Sequence, residues 1–204
     1  MAQSPLIEAA ADNSALLREA LDTARRAHAG QIRNGSGGTP YIEHPIAVAE
    51  LLAENGFGEQ VLAAALLHDV VEESEIEVAG LREDFGDRVA SLVAALTDEE
   101  TIENYRERKA EHRRQVDEAG ADARTIYAAD KLANIRALRR VYADSGEAVG
   151  VELKAPLDDK VAVWEADLDL LRRRDLKPAL LNELADQLAA LRADRAGSAQ
   201  PQTS

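Results

Sequence analysis

The sequence predicts an all-α fold, and three observations predict it. Only 3% of the 204 residues are aromatic while 46% are hydrophobic. Ala, Leu and Val must therefore fill the core, which suits closely packed helices better than aromatic-rich strands. Apolar residues recur at helical spacing in one segment after another. Between those segments stand the glycines, prolines and capping residues that start and stop helices. The length suits one domain with helical additions. Residues 13–195 are assigned to it, with a flexible N-terminus over 1–12 and a disordered tail over 196–204.

Asn13-Ser14 offers an N-cap to the first helix, on which Leu16, Leu17, Ala20, Leu21, Ala24 and Ala27 recur at helical spacing. Gly30 to Pro40 holds Asn34, Gly35, Ser36, Gly37 and Gly38 and reads as a flexible loop. Pro45, in the first turn of a second helix, precedes Ile46, Val48, Ala49, Leu51 and Leu52, and Asn55-Gly56 closes it. A third, from Val61 to Leu67, runs into His68-Asp69. Ile76 to Phe85 stops at Gly86, and Arg88 to Leu96 makes another helix before the polar stretch Thr97 to Thr101. A charge-rich helix spans Asn104 to Glu118. Ala123 to Tyr142 is amphipathic, Gly146 to Val151 reads as a loop, and two further apolar stripes follow. One holds Val161, Trp164, Leu168 and Leu171; the other, after Lys177-Pro178, holds Leu180, Leu181, Leu184, Leu188 and Leu191.

The formal net charge is -14, from 38 acidic and 24 basic side chains. That is opposite to the basic footprint of a nucleic-acid binder, so nucleic acid is not an expected partner. An anionic small substrate would need a local nest of cations and a metal ion. No cysteine is present, which excludes disulfide and thiol chemistry. Met1 to Asn13 lacks a basic start followed by an apolar core, and no apolar run is long enough to span a bilayer. A soluble, cytoplasmic protein without membrane partners is expected; whether it is a monomer or a homo-oligomer is left open.

The most informative residues are His68 and Asp69, which end the apolar run Val61 to Leu67. An ionised Asp there is costly unless a cation or hydrogen bonds compensate it. His44 and Asp130 also stand in or beside apolar helical patterns. Two imidazoles and two carboxylates suit Mn, Fe, Co, Zn or Mg with water completing the shell. Neighbours on a helix point about 100° apart, so His68 and Asp69 approach one ion from different directions, and the fold must bring His44 and Asp130 to it.

These residues stand in Ala27-His28-Ala29-Gly30-Gln31, Pro40-Tyr41-Ile42-Glu43-His44-Pro45, Ala65-Leu66-Leu67-His68-Asp69-Val70-Val71-Glu72, Phe85-Gly86 and Ala129-Asp130-Lys131-Leu132-Ala133-Asn134. Their order resembles the HD-domain phosphohydrolases, an all-helical metal-dependent superfamily, and within it the hydrolase domain of RelA/SpoT-type alarmone enzymes. The resemblance covers about residues 13 to 175. It implies an HD-domain helical bundle with additional C-terminal helices and hydrolysis of the 3′-pyrophosphate of (p)ppGpp with a Mn²⁺-activated water, other divalent ions being alternatives. His44, His68, Asp69 and Asp130 would hold the ion. Glu72, with Glu73, would carry acid/base catalysis. Arg33 would stack on the base, Lys131 and Asn134 would meet phosphate or ribose, and Lys160 and Trp164 would serve the phosphate and ribose end. Arg106, Arg108 and Lys109 are candidates to close over a polyphosphate. The chain departs from the family pattern at Asn34, Glu73, Glu100 and Asn104. No synthetase segment follows, so hydrolysis alone is expected. The alternatives are an HD-domain hydrolase acting on another nucleotide or phosphomonoester, and a catalytically idle nucleotide-binding regulator.

Overall fold

The structure, a computed structural model, describes residues 5–99, 101–153, 155–174 and 176–198. Ten α-helices account for nearly all regular structure among them. They are α1 (Pro5–Asn13), α2 (Ala15–Ala27), α3 (Glu43–Glu54), α4 (Glu59–Leu67), α5 (Val70–Glu73), α6 (Val78–Leu96), α7 (Tyr105–Ala119), α8 (Ala121–Ser145), α9 (Leu157–Arg172) and α10 (Pro178–Ser198). A 3-10 turn over Gly146–Glu152 occupies the segment expected to be a loop, and buries Val149. The only bridge among the described residues joins Ile32 to Pro40.

The layout follows from two helices. Every residue of α4 from Val61 to Leu67 is buried; a helix apolar all round belongs inside the core. It packs against α2, α3, α6 and α8, and each fully buried Leu contributes about 1.5–3 kcal/mol. The long α8 is buried from Ile126 to Ala133 and touches α3, α4, α6, α7, α9 and α10. The end of α4 leads directly into His68 and Asp69, and the buried middle of α8 carries Asp130.

Local chemistry sets the boundaries. Ser14 caps α2 by accepting from the Leu17 N–H at 3.3 Å, and Asn104 caps α7 through the Glu107 N–H at 3.1 Å. Gly86, at φ 82°, breaks α6 where the sequence placed the stop.

In the stretch 1–12, expected to be flexible, the described part belongs to a helix, Pro5–Asn13. Ile7 and Ala11, one turn apart, are buried against the core. The free Ile7 N–H at the helix start donates to Glu50 Oε1 at 2.7 Å, and Arg25 pairs with Glu8. Of the tail expected over 196–204, residues 196–198 continue α10, whose Leu188 and Leu191 are buried, and residues 199–204 lie outside the described residues. Among the described residues, no helix is long and apolar enough to cross a membrane.

Candidate active site

His44 lies in the first turn of α3, where Pro45 costs nothing because N–H groups there have no helical partner. His68 and Asp69 lie at a break: α4 ends at Leu67 and α5 begins at Val70. His68 keeps helical dihedrals (φ -61°, ψ -30°) and Asp69 departs from them modestly (φ -98°, ψ -6°), and both side chains come to the same cluster. Asp130 arrives from the buried middle of α8.

The sequence-predicted ligands converge. One donor atom each of His44, His68 and Asp130 lies within 4.8 Å of the others. Asp69 approaches both imidazoles, at 3.6 Å from His44 Nε2 and 3.1 Å from His68 Nε2. His68 Nδ1 stands 2.8 Å from the Ala65 carbonyl, which only accepts, so Nδ1 donates there and Nε2 is turned toward Asp69 and Asp130. His68 Nε2 is buried and has no hydrogen-bond partner. Burial, with Arg33 nearby, pushes His44 down to about 4, so this imidazole is neutral. Burial acts to raise both carboxylates, but it is outweighed. His68 and His44 hold Asp69 below its ordinary value; Lys131 and the same histidines hold Asp130 well below. Two imidazoles and two carboxylates, the carboxylates held below their ordinary values, gathered round the buried Nε2 of His68, fit a divalent cation.

Several groups aim these ligands. The Tyr41 hydroxyl donates to Asp69 Oδ2 at 2.9 Å, and its ring stacks on His28 at 4.6 Å. Lys131 Nζ donates to Asp130 Oδ2 at 2.8 Å, and Asn134 Nδ2 to Asp130 Oδ1 at 2.6 Å. Such outer partners fix ligand orientation. Asn134 also accepts from Arg33, whose guanidinium lies 5.8 Å from the Tyr41 ring centre.

Glu72 shares this cavity. Its Oε1 accepts from the Asp98 N–H at 2.5 Å. Burial, and then the charge of Asp69, push its carboxyl up to about 7. Asp98 is itself pinned by Lys109 and by Arg108 at 3.5 Å, and His112 Nδ1 lies 2.6 Å from its Oδ1. A carboxyl that changes protonation near neutrality beside a metal centre suits general acid/base work.

Two cavities meet here. The smaller, ≈ 150 Å³, contains the four candidate ligands and Glu72, with Lys109, Lys131 and Lys160 in its wall. The larger, ≈ 420 Å³, is bounded by Gln31 to Ser36, Glu73, Leu138 and Leu153. Arg33, Tyr41, Asn134, Lys160 and Trp164 line both and form the shared wall. Glu73 lines only the larger one, so the two adjacent acids part company. Burial, and then Lys109, Lys131 and Arg33, bring Lys160 down to about 8, a sign of crowded positive charge. Lys160 also stands 5.8 Å from the Trp164 ring centre.

The loop expected to be flexible is tied down. The Arg33 N–H donates to Thr39 O at 3.1 Å, the Tyr41 N–H to Gln31 O at 2.9 Å, and Ser36 Oγ to Arg33 O at 2.6 Å. At Gly35, with φ 66°, an added Cβ would stand 2.5 Å from Leu153 Cδ2, so glycine permits this close approach.

Of the basic candidates, Lys109 reaches the small cavity, while Arg106 is held by Asp159. Glu100 lies outside the described residues. The sequence did not single out Tyr41, Tyr105, His112 and Tyr127 as wall residues. Tyr41 stands three residues before His44, which was an available signal; the others carry none.

The family model for the HD domain matches residues 20–155. A GTP pyrophosphokinase of Streptomyces coelicolor is 35% identical over 191 residues, 88% of this chain but 22% of its own length. The human guanosine-3′,5′-bis(diphosphate) 3′-pyrophosphohydrolase MESH1 is 42% identical over 129 residues, 62% of this chain and 72% of its own. A solved structure of a metazoan ortholog of SpoT that hydrolyses ppGpp aligns with TM-score 0.72 and 28% identity, covering 87% of this chain and 96% of that one.

Proposed function

This chain belongs to the HD domain family, and from that premise we propose that it hydrolyses the 3′-pyrophosphate of (p)ppGpp, giving GDP or GTP and pyrophosphate. Family membership implies a divalent metal; Mn²⁺ as the working ion, His44, His68, Asp69 and Asp130 as its holders, and a cytoplasmic setting belong to the proposal. The observation that carries the reading is the pair of joined cavities, one charged and metal-competent, the other roomy and mostly uncharged. A nucleotide has the same division.

In this reading the base and ribose occupy the larger cavity, with Arg33 against the base and Asn134 and Trp164 near the ribose. The 3′-pyrophosphate enters the smaller cavity, where Lys109, Lys131 and Lys160 offset its charge as it leaves. The ion, when bound, lowers the pKa of a water and neutralises phosphate charge. Glu72 takes a proton from the attacking water. The water oxygen joins phosphorus, the bond from phosphorus to the ribose 3′-oxygen breaks, and that oxygen takes up a proton. Glu73 we place in the nucleoside wall, because it lines that cavity alone.

A second reading keeps the chemistry and changes the base. Asn34, uncharged, lines the larger cavity where the related pattern often has a basic residue. One experiment addresses both: pyrophosphate release from ppGpp and from a panel of other nucleotides, by metal-stripped protein with and without Mn²⁺, beside Asp69→Ala. Mn²⁺-dependent release from ppGpp, reduced to background in the variant, is expected. Turnover of another nucleotide in preference to ppGpp would sink the substrate, and silence on every nucleotide would favour an idle binding module.

A further inference from the structure

The chemistry above leaves a buried network unused. Asp167, on α9, is 0% exposed. Its Oδ1 accepts from the Tyr127 hydroxyl at 2.9 Å and from Arg113 Nε at 2.7 Å, and its Oδ2 has no hydrogen-bond partner. A carboxylate withdrawn from water carries a large desolvation penalty, which an apolar side chain at the same place would avoid. What the carboxylate holds is therefore informative. Tyr127 is fully buried, and its ring bears the Lys131 ammonium 4.1 Å from its centre. Lys131 Nζ in turn donates to Asp130 Oδ2, and Asp130 Oδ1 stands 3.1 Å from His44 Nε2. The contacts run without a gap from Arg113 through Asp167, Tyr127 and Lys131 to Asp130.

The position of Asp167 in the chain adds to this. The HD domain match ends at residue 155, and α9 begins at Leu157. A helix beyond the matched region thus reaches a ligand within it. The Lys131 ammonium is a compact charge on a flexible four-carbon stem. An aromatic face beneath it confines it electrostatically, provided the ring itself cannot rotate away.

We infer that Asp167 is a positioning residue for the metal centre. It fixes Tyr127, the Tyr127 ring seats Lys131, and Lys131 aims Asp130 at the point that the two histidines share. The inference rests on the assignment of Asp130 as a ligand and is independent of which nucleotide is hydrolysed.

The test is calorimetric titration of the metal-stripped full chain with Mn²⁺, for wild type, Asp167→Asn, Tyr127→Phe and the double variant, with thermal unfolding of each. Asp167→Asn removes the charge and keeps the shape; Tyr127→Phe keeps the ring and removes its tether. Each single variant is expected to weaken Mn²⁺ binding about tenfold, in the range found for outer partners of metal ligands. The double variant should be no weaker than Tyr127→Phe alone, because Asp167→Asn weakens, and Tyr127→Phe removes, the same link in one chain of contacts. A purely structural Asp167 would lower the melting temperature and leave the Mn²⁺ dissociation constant within about twofold of wild type, which would overturn the inference. Additive losses in the double variant would overturn it too. If Asp167→Asn does not fold, Tyr127→Phe decides alone, since an unchanged dissociation constant there breaks the chain at its middle. Wild-type protein that binds no Mn²⁺ would sink the metal-centre reading together with this one.

Discussion

The two cavities are built from different materials. The smaller is walled by helices, with candidate ligands on α3, α8 and the junction between α4 and α5, and three of them, Asp69, His68 and Asp130, are each held by a second group. The larger is walled on one side by the segment Gln31 to Ser36, whose order comes from a few backbone and hydroxyl hydrogen bonds. A reacting centre tolerates about an ångström of error poorly, whereas a binding wall tolerates it better. The difference predicts that damage on the helical side appears in turnover and damage on the loop side in binding.

Glu72→Gln tests the first half most severely. It preserves size and the bond from the Asp98 N–H while removing the proton acceptor, so kcat should fall by about 10²–10⁴-fold with little change in KM. The pH dependence has a definite sign. The folded carboxyl is raised from its ordinary 4.5 to about 7, chiefly by burial. Its base form is therefore scarce below about 7, and kcat should rise with pH through that value in wild type and not in the variant. Stability moves the other way. Folding favours the protonated form, so this contribution is fully present below 4.5 and is lost as pH rises through about 7. Urea unfolding at pH 5 and pH 8 should show a smaller decline for Glu72→Gln than for wild type. A turnover profile unchanged by the substitution would remove Glu72 from the chemistry.

Arg33→Ala probes the shared wall. Arg33 bonds Asn134 and lies over Tyr41, so the substitution removes a charged contact from both cavities at once. A guanidinium stacked on a ring contributes about 0.5–2 kcal/mol, which corresponds to a rise in KM of about twofold to thirtyfold. Steady-state kinetics should show that rise with kcat little changed. A fall confined to kcat would place Arg33 with the reacting phosphate and move the boundary between the cavities.

How much of this was legible in the sequence depends on the range of the interaction. His68 and Asp69 could be found because ionisable groups ending an apolar helix demand compensation, and Gly86 because a helix stop is a local event. Lys160 and Trp164 became visible through family resemblance, and the structure places both in the shared wall. The bond between Tyr127 and Asp167 joins residues 40 apart, and nothing local marks either end, since a tyrosine on an apolar stripe reads as core. The helix α1 was missed although Ile7 and Ala11 share a face; nine residues are too few to form a stable helix alone, and tertiary burial supplies what propensity does not. The break at His68-Asp69 was also hidden, because Val70 and Val71 continue the apolar run on its far side.

The smallest expected effect is the most discriminating for the loop. Ser36 Oγ donates to Arg33 O at 2.6 Å and accepts from the Thr39 N–H at 3.0 Å, and these bonds close the turn that presents Arg33. Ser36→Ala removes both at a part-buried place where water substitutes for some of what is lost, so the net cost should be about 1 kcal/mol. For a chain of this length that is a fall in Tm of about 2–4 °C. If the loop serves binding alone, KM should rise by no more than about fivefold, the equivalent of the same free energy, and kcat should hold. If kcat falls instead, the order of the loop reaches across the shared wall into the candidate metal site through Arg33 and Asn134. The two cavities would then work as one site, because the guanidinium in their shared wall also bonds the amide that holds Asp130.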